Sequence, residues 1–230
     1  MKNLWIILML ALMGAGCAQT TVLESRTLDL PGFTSVESKG TLRVRIDQGP
    51  ASVRLESVPD FHAYIQTLVN DSVLFVDVPE TYFRKVKKTT LYITLPELRH
   101  VRNSGAGNLE VSLRKASGLK VFNDGAGNLK VQFEGDSLEC CNSGIGMVTL
   151  QGRAGTARLQ NHGAGLIASR GLEARDVVVE NSGAGGVDVS SSGSLSVVNK
   201  GIGVVRYTGP GELKSVMSQG LGKVKRMKNN

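Results

Sequence analysis

Apolar and polar positions alternate along this chain in columns that repeat at a fixed interval. Counting from the first residue of a recurring glycine phrase, the sixth place on holds Leu109, Leu129, Val148, Ile167, Val187, Val205 and Val224. Two places before the phrase stand Val101, Val121, Cys140, Leu159, Val179, Val197 and Val216. Three places on are Ala106, Ala126, Ile145, Ala164, Ala184, Ile202 and Leu221, again all apolar. The seventh place on (Glu110, Lys130, Thr149, Ala168, Asp188, Arg206, Lys225) is mostly polar. Alternation at period two predicts strands, because successive side chains of a strand point to opposite faces. The three apolar columns are therefore expected to be inward ladders, and the polar one to face water. On that water-facing column Glu110 beside Lys130 and Asp188 beside Arg206 should pair, each worth a few tenths of a kcal/mol at an exposed site.

The phrase itself reads NSGAGNLEV at Asn103 and returns from Asn123, Asn142, Asn161, Asn181, Asn199 and, as SQGLGKVKR, from Ser218. Seven copies at steps of 18 to 20 residues define a solenoid, in which each turn buries its apolar side against the next. The predicted fold is all-β, a right-handed parallel β-helix of about 19 residues per turn, because parallel crossovers are right-handed almost without exception. The two glycines of each GxG are expected to take left-handed or otherwise strained dihedrals. The column Asn103, Asn123, Asn142, Asn161, Asn181 and Asn199 is expected to be a structural ladder, each amide bonding to the next turn's backbone.

Residues 27–100 read as strands plus one short helix, ahead of the seven GxG repeats of 101–230. Strand-like runs cover Thr41 to Ile46, Ala51 to Val58, Ser72 to Val78 and Thr89 to Leu95. Between the second and third, Pro59 and Asp60 open a segment with Phe61, Tyr64, Ile65 and Leu68 at helical spacing. A basic stretch, RKVKK, fills 84–88.

Composition agrees with tight, repeated corners: 28 glycines in 230 residues, and only 5% aromatics. The formal charge of +7 permits attraction to anionic surfaces without selecting a partner. Residues 1–16 carry Lys2 and the apolar run LWIILMLALMGAG directly before Cys17. This resembles a bacterial lipoprotein leader, although Gly14 stands where the usual lipobox has leucine. The resemblance implies lipidation of Cys17, a tether over 17–26 and, with Ala18 following, an exported protein held at the outer membrane. The partner so implied is the membrane, through the N-terminal lipid.

Phe33-x-x-Val36 followed by repeated N/S-x-G-x-G corners resembles the bacterial head GIN domain family, whose name refers to an autotransporter-adhesin head. The likeness covers roughly residues 27–226. It implies a right-handed β-helical domain on exported proteins and supplies no catalytic residues.

The chemistry-bearing residues mostly exclude. A dinucleotide fingerprint needs a third glycine and a following helix, whereas these glycines precede strands. Calcium-binding nonapeptides need an aspartate where this chain has Leu109. A glycosidase on a β-helix needs converging carboxylates, yet Glu180 has Gln160 and Val198 as neighbours, and Asp136 has Gly155. Cys140 and Cys141 alternate inward and outward and suit a buried hydrophobe beside a half-exposed thiol, with a vicinal disulfide or intermolecular bridge as the alternative. His62, His100 and His162 show no ligand spacing with the cysteines. No cofactor, metal, catalytic residue or nucleic acid is expected. The expected function is a non-enzymatic envelope module that binds a glycan or a protein. A structural spacer is the second reading and a carbohydrate-active enzyme the third. The last turn, ending KVKRMKNN, lacks an apolar cap and leaves weak self-association open.

Overall fold

The computed structural model describes residues 23–82 and 89–227. The leader with Cys17, the basic stretch 84–88 and residues 228–230 lie outside the described residues. The chain forms a right-handed, all-β parallel solenoid with one short helix in its N-terminal part. The N-terminal strands are β1 (Glu24–Leu28), β2 (Ser35–Ser38), β3 (Arg43–Gln48) and β4 (Ser52–Ser57). They are followed by β5 (Gln66–Asn70), β6 (Val73–Asp77), β7 (Thr90–Leu95) and β8 (His100–Asn103). Long bent strands then make one turn each: β9 (Asn108–Asn123), β10 (Asn128–Asn142), β11 (Met147–Asn161), β12 (Leu166–Asn181) and β13 (Gly186–Asn199). The last turns break into β14 (Val204–Thr208), β15 (Glu212–Ser218) and β16 (Lys223–Arg226).

Successive long strands pair parallel and in register, so that Leu129 lies between Leu109 and Val148, and Cys140 between Val121 and Leu159. Two of the three apolar columns point inward, as their period demands, and join one core running from Val36 to Val205. They lose cover only at the C-terminal end, where Val224 is half-buried and Val216 exposed. Size is matched between turns as well: fully buried Phe133 sits opposite Gly152, where any Cβ would meet the Phe133 carbonyl oxygen at 2.1 Å.

The third apolar column behaves differently. Ala106, Ala126, Ile145, Ala164, Ala184, Ile202 and Leu221 all face solvent. The reason lies in the glycines on either side. A Cβ on either glycine of a repeat corner would fall 1.6–2.2 Å from a carbonyl oxygen of the preceding turn. The corner thus presses its backbone against its neighbour at the two glycines and turns the middle residue out. The same packing corrects the expected dihedrals. None of the corner glycines from Gly105 to Gly222 has a positive φ; among the described glycines only Gly40, Gly152 and Gly209 do. Close approach requires glycine at these corners, and backbone handedness does not.

The N-terminal part continues the solenoid out of sequence order. The turn built from β2 and β3 lies between that of β6 and β7 and that of β8 and β9. Ser38-Lys39-Gly40-Thr41-Leu42 therefore occupies the corner next to Asn103, with the Gly40 and Leu42 carbonyls against Gly105 and Gly107. Antiparallel β4 and β1 extend one sheet beyond β7, and antiparallel β5 extends the other beyond β6. The helix begins at Pro59, where the pattern starts, but is a 3-10 helix that ends at Tyr64. Leu68, expected on its apolar face, lies on strand β5 and is exposed. The chain is drawn into that strand by the two-residue turn Asp71-Ser72, both with positive φ, which pairs β5 with β6.

Candidate functional site

The six corner asparagines are fully buried and hydrogen-bonded in series. The Nδ2 of Asn103 donates to Oδ1 of Asn123 at 2.9 Å, and Asn123 to Asn142 at 2.7 Å. Asn142 donates to Asn161 at 2.8 Å, Asn161 to Asn181 at 2.9 Å and Asn181 to Asn199 at 2.8 Å. Asn199 closes the series on the Gly203 carbonyl at 3.2 Å. The side chains thus bond to one another, where bonds to backbone were expected, because identical turns place each amide over the next. The backbone carbonyls of these asparagines tie the turns together as well. That of Asn103 accepts the N–H groups of Asp124 and Gly125, and each later rung repeats the pattern. At the head of the series Oδ1 of Asn103 has no partner among the described residues.

One sheet, containing β4, β7, β3 and the first halves of β9 and β10, carries a charged face. Arg45, Asp47, Glu110, Ser112, Lys130 and Gln132 line a shallow hollow of about 350 Å³. Glu110 is held by Arg45 at 3.0 Å, although Lys130 is its register neighbour on β10. Beside the hollow the Arg54 guanidinium lies over the Tyr92 ring, 4.2 Å from its centre. Sequence reasoning missed Arg45, Asp47 and Tyr92, because nothing in the repeat period reveals that β3 stacks against β9. Farther along the same face Asp188, expected in water, is only 5% exposed. Arg206 at 2.5 Å and Arg170 at 3.7 Å close over it, so this pair is more than a surface contact.

On the other sheet, Arg102 bonds to Asp124 and lies over Phe122, 4.7 Å from the ring centre. At the corner, His162 Nδ1 is 2.7 Å from the Ser182 hydroxyl. This pair is not built as a nucleophile. The N–H groups of Ser182 and Gly183 both point at the Asn161 carbonyl, which leaves no donor pair beside the hydroxyl to receive an oxyanion. Cys140 is buried and Cys141 half-exposed, and both are free thiols. Burial pushes the Cys140 thiol far above its ordinary range. Asp176 is held low, first by the Ser194 hydroxyl and then by Arg175, and Glu97 by its hydrogen bond from Arg99. Among the described residues no three His, Cys, Asp or Glu side chains gather as a metal set would, and no helix is long and apolar enough to cross a membrane.

Stacked in-register turns, polar open sheet faces and glycine-pinned corners define a β-solenoid that presents open surfaces. The chain belongs to the family described as "Putative auto-transporter adhesin, head GIN domain", which matches residues 32–211. A solved structure from Bacteroides fragilis, described as a putative adhesin, is similar at 25% identity and TM-score 0.83, over 90% of this chain and 98% of that one. One from Parabacteroides merdae, also described as a putative adhesin, shares the fold at 21% identity and TM-score 0.65, over 90% and 96%. Another, from Parabacteroides distasonis and described as a putative lipid binding protein, does so at 18% and 0.66, over 90% and 97%. No curated protein matches the chain.

Proposed function

We propose that this protein is a non-catalytic, lipid-anchored module of the bacterial envelope that binds a glycan or protein through the charged face of its solenoid. The observation that carries this reading is the open comb of Arg45, Asp47, Glu110, Lys130 and Gln132 on three neighbouring strands, flanked by the Arg54–Tyr92 stack. Such a face offers hydrogen bonds and charge at strand spacing to an extended polar ligand, with an aromatic ring at its edge. The family name and the Bacteroides fragilis structure's description support adhesion and a surface-associated location. Against catalysis stands the engagement of Glu110 by Arg45, which leaves Asp47 without a second free carboxylate in the hollow. The leader and Cys17 support export and anchoring at the outer membrane.

The test is binding of the purified chain to an array of neutral and acidic glycans and to intact host cells. The double variant Arg45→Glu/Lys130→Glu should lose at least tenfold in apparent affinity, while Lys214→Glu, on β15 near the C-terminal end of the solenoid, should bind as wild type. Equal binding by both variants would remove this face from the function. A chain that binds nothing on any face would favour the spacer reading.

A further inference from the structure

The outward middle residues of the glycine corners form a straight ridge along one edge of the solenoid. Ile145, Ile202 and Leu221 are 71%, 63% and 87% exposed, with exposed alanines on the turns between, and Met147 widens the ridge. Thr41 heads it, since Ala106 donates its N–H to the Gly40 carbonyl on the adjoining corner. From Thr41 to Leu221 the eight rungs span about 34 Å at the spacing of paired strands. Isolated exposed apolar side chains need no explanation, but an aligned row of them marks a contact surface. The corner backbone behind the row already bonds from turn to turn, so an added strand would find no ladder there. An occupant must take the side chains alone.

Two features identify that occupant. The first is charge: the positions flanking the ridge include Lys39, Arg43, Lys200 and Lys223, and their one carboxylate, Asp124, is bound to Arg102. The second is the point where the chain enters. Leu23 lines a shallow hollow with Thr41, Arg43 and Asn108, at the head of the ridge. Six residue steps lead from Cys17 to it, a reach of about 20 Å at most, shorter than the ridge itself. We propose that the ridge rests lengthwise on an anionic bilayer surface, with Ile145, Ile202 and Leu221 at the boundary of headgroups and acyl chains and the flanking cations on the headgroups. The proposal rests on the reading of Cys17 as the anchor. It leaves the charged sheet face upright and open to a ligand.

Trp5, the sole tryptophan of the chain, leaves with the leader, so the chain that begins at lipidated Cys17 carries no tryptophan and each one introduced is a clean reporter. The chain that begins at lipidated Cys17 is reconstituted on vesicles of phosphatidylethanolamine and phosphatidylglycerol with brominated acyl chains. Tryptophan is placed on the ridge (Ile202→Trp, and independently Leu221→Trp) or on the outer sheet face (Val178→Trp). The ridge reporters should be quenched at least threefold more than the face reporter, and Lys39→Glu/Lys200→Glu should erase the difference. Equal quenching at ridge and face, or none at either, overturns the proposal. So does a dimeric mass without vesicles accompanied by a buried ridge reporter, which would assign the ridge to a second copy. Flotation separates the two failures. If the chain with Cys17 does not float with vesicles, the anchoring reading has failed. The same reporters are then read on the Cys17→Ala chain held to nickel-chelating lipid by an N-terminal histidine tag, with the same outcomes deciding.

Discussion

Replacing Asn142 by alanine removes one rung from the middle of a fully buried ladder. Asn123 Nδ2, which donates to Asn142 at 2.7 Å, loses its acceptor. Asn161 Oδ1, which accepts at 2.8 Å, loses its donor. Neither group is reached by solvent, since both residues are 0% exposed. Leaving a buried polar group unmade costs about 1–3 kcal/mol, so Asn142→Ala should destabilise by about 2–6 kcal/mol. Asn103→Ala is the internal control. It strands only Oδ1 of Asn123, and it removes an Oδ1 that has no partner to lose. Its cost should be about half, about 1–3 kcal/mol. Urea unfolding followed by circular dichroism measures both, provided the denaturant slope stays that of wild type. Equal costs at the middle and the head, or a cost below about 1 kcal/mol at Asn142, would refute the reasoning that serial amide bonding holds the corners together.

Four further outcomes follow from the same geometry. Ser38→Asn adds a donor opposite the unpartnered Asn103 Oδ1 and should stabilise by about 1 kcal/mol in the same urea assay. Gly203→Ala places a Cβ 1.6 Å from the Gly185 carbonyl oxygen and should cost about 3 kcal/mol or more, whereas Gly32→Ala meets nothing within 4 Å and should change stability by less than about 0.5 kcal/mol. In the native Cys17→Ala chain, mass spectrometry after iodoacetamide should find Cys141 alkylated and Cys140 protected until urea exposes it. Because burial raises the folded-state pKa of Cys140, its contribution to stability is complete below the unfolded thiol's pKa. It declines as pH rises above that value, so the urea midpoint should fall on the alkaline side.

The strand columns were legible because their period of two is nested in a period of 18 to 20, and no helix reproduces that pattern. The sixth-on column and the column two places before the phrase could thus be assigned inward from the sequence alone. The Ala106-to-Leu221 column was not legible, since hydrophobicity argued for burial while backbone contact at the flanking glycines decided the direction. Ser38 to Leu42 was hidden as a corner by its missing asparagine and second glycine, and only stacking against Asn103 to Gly107 reveals it. That same non-sequential placement of β3 creates the Arg45–Glu110 contact and the charged hollow, which no period along the chain encodes. The Phe61-to-Leu68 spacing fitted a helix over one turn. It failed at Leu68 because the Asp71-Ser72 turn pairs that segment with β6.

The most direct test of the central claim, an anchored solenoid that presents its faces outside the cell, is protease shaving of intact cells with an antibody to the C-terminal turn. Such a solenoid should lose the turn to protease on intact cells, and this cleavage should disappear when Cys17 is replaced by alanine. Protection until the outer membrane is broken would contradict the claim and would place the solenoid on the periplasmic side, where a spacer fits better than an adhesin.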